Sequence, residues 1–223
     1  MMPFSGGFFP GGIESTQNGI VLFSFAAAVH YLAMIKRPIS AKRTLAKVAG
    51  ILLLLGLAVM SDAPDLLVAA LAFSAVGDAA LAQDGDRAFM LGLGAFLLAH
   101  VAYAALFVTG GFENANFLII TAILVFAAIF GFVLVRKAGS LAIPVAAYVL
   151  AIASMGVSAS LIGGGVLVGA VLFIASDAVL GSEKFLISTE NKVRQLTGAL
   201  VWILYFAGQA TLTISIIRLS QLA

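Results

Sequence analysis

Cysteine is absent from the 223 residues, only five are proline, and only 10% are charged. Without cysteine there is no disulfide framework, no thiolate nucleophile and no Cys-ligated metal. The shortage of charge excludes more. A soluble domain carries about 25% charged and about 45–50% apolar residues. Here the hydrophobic fraction is 62% and the mean hydropathy is +1.15. A chain of this size cannot hide so much apolar surface in one water-facing core. Soluble enzymes, nucleic-acid-binding domains and disordered chains are therefore excluded, and the composition is that of a polytopic membrane protein.

A helix needs about 20 apolar residues to cross roughly 30 Å of hydrocarbon. Eight stretches qualify, at about 19–35, 45–61, 64–83, 88–109, 115–135, 141–162, 164–181 and 196–219. A transmembrane β-barrel would alternate apolar and polar residues. Runs such as Ile51-Leu52-Leu53-Leu54-Leu55 do not. The expected fold is all-α, an eight-helix transmembrane domain over 19–219 preceded by a tail over 1–18. That tail lacks Lys and Arg, and a signal peptide needs a basic start, so it reads as retained.

The basic residues set an orientation. Lys36, Arg37, Lys42, Arg43 and Lys47 lie in the first connection and Arg87 in the third. Arg136 and Lys137 lie in the fifth, and Lys184, Lys192 and Arg194 in the seventh. That puts 11 of the 12 basic residues on one side, with Arg218 alone on the other. Odd-numbered loops are expected in the cytoplasm and both termini outside. The cluster Lys36 to Lys47 is first a topology signal and second an attraction for anionic lipid heads.

Ionisable groups inside hydrocarbon are costly and mark function. Eight of the ten acidic residues fall in the tail or loops, Glu113 among them; Asp78 and Asp177 fall in the third and seventh spans. At 1.5 Å per residue both lie about 20 Å from the outer end of their span, at matched depth. His30 and His100 lie near the midplane of the first and fourth spans, and Gln209 lies in the eighth. His100 with Tyr103, Tyr205 with Gln209, and Ser74 with Asp78 are each spaced to share a helix face. Five polar groups on five helices would line one cavity open to the cytoplasmic side. The run Gly163-Gly164-Gly165 reads as a tight turn, since no Lys-Ser/Thr follows it.

The ordered set Lys36-Arg37-Pro38, Phe73-Ser-x-x-Gly-Asp78-x-x-Leu81, Gly92-x-x-x-Phe96-x-x-x-His100-x-x-Tyr103, Gly169-Ala-x-Leu-Phe173-x-x-Ser-Asp177-x-x-Leu180 and Tyr205-Phe-Ala-Gly-Gln209 resembles the YhhN-type lysoplasmalogenase-like family of eight-span membrane proteins. One departure is Gly208, where that family's pattern leads us to expect Ala. The resemblance implies hydrolysis of the vinyl-ether bond of a lysoplasmalogen, or a related ether lysolipid, to a fatty aldehyde and a glycerophospho-base. It also implies a multi-pass protein of the bacterial inner membrane, with membrane lipid as its surroundings and a lysophospholipid as its partner.

The residues suit that chemistry on their own terms. Vinyl-ether hydrolysis needs a carboxylic acid that protonates the alkene carbon and a carboxylate that steadies the cation or activates water. Two neighbouring Asp residues in low dielectric provide such a pair, because two adjacent negative charges are disfavoured there. Asp78 and Asp177 are the expected acid and base, in either order, with His100 and Tyr103 orienting water or the leaving oxygen. Lys36 would hold the phosphate head, and Tyr205, Gln209 and His30 would complete the lining. No His-x-x-x-His or Glu-x-x-His spacing appears, and the reaction needs no metal or other cofactor. The alternative is a proton-coupled small-molecule or lipid transporter. Against it, Pro144 is the one proline well inside a span and is far in sequence from either Asp. An intramembrane aspartyl protease is disfavoured, because position 75 is Ala and Asp177 follows Ser176. The similar settings of Asp78 and Asp177, four spans apart, hint at a 4+4 parallel repeat.

Overall fold

In the computed structural model the described residues are 7–12, 14–110, 115–188, 190 and 193–222. Glu113 and Lys192, assigned above to loops, lie outside them, as do the first six residues of the tail. Among the described residues the chain forms eight α-helices: α1 Thr16–Met34, α2 Ala41–Met60, α3 Asp65–Leu81, α4 Asp86–Thr109, α5 Phe117–Lys137, α6 Ala142–Ile162, α7 Gly164–Phe185 and α8 Arg194–Ser220. Seven of them are long and apolar enough to cross a membrane. The eighth, α3, has 17 residues and spans about 25 Å at the helical rise. The assembly is a polytopic helical membrane bundle.

Helix ends follow local chemistry. Ser15, Ser40 and Asn116 stand just before α1, α2 and α5, and their side chains accept hydrogen bonds from first-turn amides, satisfying donors that lack helical partners. Pro64 precedes α3, where a missing N–H is harmless. Gly163 turns α6 into α7 with φ +78°, a backbone conformation only glycine adopts without strain, so the expected tight turn is present. Pro144 is the third residue of α6, in the first turn, not well inside a span. It breaks no hydrogen bond there.

The tail folds back on the bundle. The buried Asn18 side chain accepts from the Phe9 amide (2.8 Å) and donates to the Phe9 and Gly12 carbonyls (2.8 and 2.7 Å). Asn18 itself lies inside α1, so the first helix begins three residues earlier than the hydropathy boundary.

The helix pairing repeats with a shift of four. α1 packs on α2 as α5 does on α6, α2 on α3 as α6 on α7, and α3 on α4 as α7 on α8. Across the halves α4 meets α6 and α8 meets α2. Small residues let α7 and α8 come close. A Cβ at Gly208 would stand 3.0 Å from the Gly169 carbonyl oxygen and 3.1 Å from the Phe173 amide. A side chain there would press on the backbone of α7, so the glycine favours this close contact, of the kind that brings membrane helices together.

Candidate functional site

Asp78 and Asp177 face a common cavity of about 500 Å³ at the end of the bundle that carries the odd-numbered loops. Asp78 sits one turn before α3 ends at Leu81, so the short helix delivers its carboxylate close to the cavity mouth while keeping it buried. Its Oδ1 is 3.5 Å from Lys47 Nζ on α2. Its Oδ2 accepts from the Tyr205 hydroxyl on α8 at 2.7 Å. Arg43, one turn before Lys47, donates through Nη1 to the Ala82 carbonyl (3.4 Å), and Gln83 donates to Thr44 Oγ1 (2.9 Å). These bonds tie the start of α2 to the end of α3 and fix the Lys47–Asp78 register.

Asp177 has different company. Its Oδ2 accepts from the Tyr148 hydroxyl on α6 at 2.5 Å and faces His100 Nε2 on α4 at 3.5 Å. The other imidazole nitrogen, Nδ1, lies 2.6 Å from the Phe96 carbonyl oxygen. A carbonyl only accepts, so Nδ1 carries the hydrogen, and in the neutral ring Nε2 presents a lone pair toward Asp177. Nε2 is buried and has no hydrogen bond among the described residues.

The two carboxyl groups are related by the same shift of four. Asp78 on α3 is partnered from α2 and α8; Asp177 on α7 is partnered from α6 and α4. Between the partners runs a set of edge-on rings: Tyr205 on Phe96 and Phe173 (5.5 and 5.3 Å between centroids), and Phe173 on His100 (4.7 Å). Such contacts hold rings in fixed orientation. Tyr31 and Trp202 close another wall, 4.5 Å apart. At the mouth, Arg194 pairs with Glu183 and Lys184 with Asp86.

Not all of the expected residues gather here. Asp78, Asp177 and Tyr205 line the cavity, and His100 supports Asp177 from behind. Tyr103 and Gln209 are fully buried below it. The Tyr103 hydroxyl donates to Gln209 Oε1 (2.6 Å), and Gln209 Nε2 donates to Ser74 Oγ (2.8 Å). That network joins α4, α8 and α3, and Gln209 also lies within hydrogen-bonding reach of Tyr205, which lines the cavity. His30 is exposed on the outward face of α1, over a shallow depression with Arg37 and Lys42. Lys36 is exposed beyond the end of α1 and is not part of the lining. Hydropathy gives depth but not which side of a helix faces inward, and α1 turns His30 away.

Three partners escaped the sequence reading. Lys47 was counted as a loop charge, yet Ser40 caps α2 and places Lys47 two turns inside the helix. Arg43 was counted with it. Tyr148 had no signal beyond being an aromatic in an apolar span.

The fold is thus a helical membrane bundle in which two differently partnered carboxyl groups, Asp78 buried and Asp177 half-buried, face one cavity. The YhhN family matches residues 42–216, and the chain belongs to that family. It is 35% identical over 153 residues to the lysoplasmalogenase TMEM86B of Rattus norvegicus, a match covering 69% of this chain. The same match covers 62% of the rat protein, less than two thirds of that relative's length. No solved structure matches the chain.

Proposed function

We propose that the protein is a lysoplasmalogenase-like hydrolase acting on the vinyl-ether bond of a single-chain ether phospholipid, with Asp177 as general acid and Asp78 as the carboxylate. The observation that carries this reading is the contrast between the two partner sets. Asp78 meets an ammonium and a hydroxyl donor, which suit a negative charge. Asp177 meets one hydroxyl donor and the lone pair of His100, which suits a carboxyl group that holds a proton. The division of labour comes from these partners rather than from repulsion between the two acids.

The steps balance without oxidant or reductant. Asp177 gives its proton to the second carbon of the alkenyl chain, and the electron pair of the C=C bond forms the new C–H bond. The positive charge falls on the first carbon and its ether oxygen. A cavity water adds to that carbon while the Asp78 carboxylate takes the water's proton. The hemiacetal then breaks its bond to the glycerol oxygen, which takes the proton held by Asp78, while the hemiacetal hydroxyl passes its proton to Asp177 as the C=O bond forms. The products are a fatty aldehyde and a glycerophospho-base, and both carboxyl groups are back in their starting states. The Tyr148 hydroxyl holds the Asp177 carboxyl in place, and His100 faces it with Nε2. Each proton-transfer group of this kind contributes about 10²–10⁴-fold in rate.

The cavity opens beside the odd-numbered loops, which the distribution of basic residues assigns to the cytoplasm, so the substrate belongs to the cytoplasmic leaflet. Arg43 and Lys47 are the cations of the lining that suit its phosphate, in the role first expected of Lys36. The reading supports a location in the bacterial inner membrane. Purified protein incubated with a lysoplasmalogen should release aldehyde, and Asp177→Asn should lower that release at least 10²-fold in protein of normal yield. An Asp177→Asn variant with near wild-type release, or a wild-type protein inert on every ether lysolipid, would overturn the reading.

A further inference from the structure

Asp177 stands where three spaces meet. The first is the polar cavity it shares with Asp78. The second is an apolar pocket toward the same end of the bundle, walled by Phe89, Phe96, Val145 and Leu180. The third is an apolar groove between α5, α6 and α7, walled by Ile123, Phe126, Phe130, Val149 and Ile152. The second space shares Phe89, Phe96 and Leu180 with the cavity, and it shares Leu134, Tyr148 and Val149 with the groove. Asp177 belongs to all three, whereas Asp78 lines only the polar one. α5 is the loosest member of the bundle. Few of its residues are buried, and Phe126 is 43% exposed. The groove therefore opens sideways, on the surface that faces lipid.

From this arrangement we infer that the α5–α6–α7 groove is the binding site for the hydrocarbon chain of the substrate and the route by which a lipid reaches Asp177 from the bilayer. The inference rests on the reading of the protein as an ether-lysolipid hydrolase and adds where the substrate lies. Two features commit the groove to a single acyl-like chain. Its walls are apolar along their whole length, with the Asp177 carboxyl and Tyr148 as the polar members at its inner end. That inner end meets, at Asp177, the cavity whose lining carries Arg43 and Lys47 among Asp78, Asp84, Asp86 and Glu183, and the two cations are groups there that suit a phosphate. Each apolar space encloses about 50 Å³, so the long chain of a single-chain amphiphile would lie along the open, lipid-facing side of the groove and direct its anionic head toward the cavity. In such a molecule the vinyl ether is the junction of chain and head, and the junction of the two compartments is Asp177. The geometry thereby explains why Asp177, and not Asp78, meets the alkene carbon.

Ala127 is half-buried in the groove wall, one helical turn from Phe130 and Gly131. It makes none of the polar contacts at Asp177. Ala127→Trp should fill the groove and leave the catalytic groups in place. The test compares aldehyde release from two lysoplasmalogens, one with a chain of about sixteen carbons and one of about six. Ala127→Trp should lower kcat/KM on the long chain at least tenfold and change it less than about threefold on the short one. In parallel, a single-chain phospholipid with a diazirine near its chain end is photolysed in wild-type protein, and the adducts are mapped by mass spectrometry. Adducts on α5, at Phe126 or Phe130, support the inference whether or not the variant folds. Equal effects of Ala127→Trp on both chain lengths, or adducts confined to helices away from the groove, would overturn it. If wild-type protein hydrolyses neither substrate yet labels at α5, the hydrolase reading fails while the chain site stands.

Discussion

Lys47 and Asp78 form an ion pair at the cavity. The pair is 3.5 Å apart with both side chains largely shielded. Removing one partner of a buried pair leaves an uncompensated charge and costs about 3–5 kcal/mol. Lys47→Met should therefore lower stability by that amount in detergent unfolding and abolish aldehyde release. Lys47→Met combined with Asp78→Asn should recover most of the stability and none of the activity. If the double variant is no more stable than Lys47→Met alone, the pair is not coupled. The same residue shows the limit of reading charges by position. Lys47 lies in the basic cluster that sets orientation, and counting it with the loop charges hides a lysine that already falls within the apolar stretch 45–61. Asp78 and Asp177 were legible because acids in long apolar runs are expensive. Tyr148 was not, because a tyrosine among apolar residues costs little and carries no mark of its neighbour.

At the scale of helices, the spans were legible nearly throughout. Each predicted stretch corresponds to an observed helix with ends within a few residues, because a bilayer demands long apolar segments closed by polar ones. What hydropathy leaves open is rotation about the helix axis. α1 is apolar on every side, so nothing in its pattern states that His30 faces outward. α4 and α8 show the opposite case. Tyr103 and Gln209, each expected to line the site, bond to one another and link these two helices beneath it. Hydrogen bonds between membrane helices contribute about 0.6 kcal/mol on average and up to about 1.7. Tyr103→Phe should lower the unfolding free energy within that range. It should leave kcat within about threefold of wild type, because the hydroxyl does not touch the cavity. A tenfold or greater loss of kcat with unchanged stability would move Tyr103 into the catalytic lining.

For the whole molecule, the shift-of-four pairing extends a hint that rested on two short motifs. Each half supplies a carboxyl-bearing third helix, a partner from its own second helix, and a partner from the other half's fourth helix. Neither carboxyl group is completed within one half, so the site exists only when the halves are packed together. The partner types differ, Lys47 against Tyr148 and Tyr205 against His100, and a motif search for identical residues misses such a correspondence. The two halves cross the bilayer in the same direction in this arrangement, which requires an even number of spans in each. Orientation then has one checkable consequence. With eight spans and 11 of 12 basic residues on the odd-loop side, a reporter active outside the cytoplasm should be active when fused after Ala223. It should be silent when inserted in the loop after Phe185. α3 is the span on which the count turns, since 17 residues reach about 25 Å of a hydrocarbon layer of about 30 Å. If α3 failed to cross, the reporters after Phe185 and after Ala223 would exchange their signals. The cavity mouth would then lie away from the leaflet to which the basic loops point.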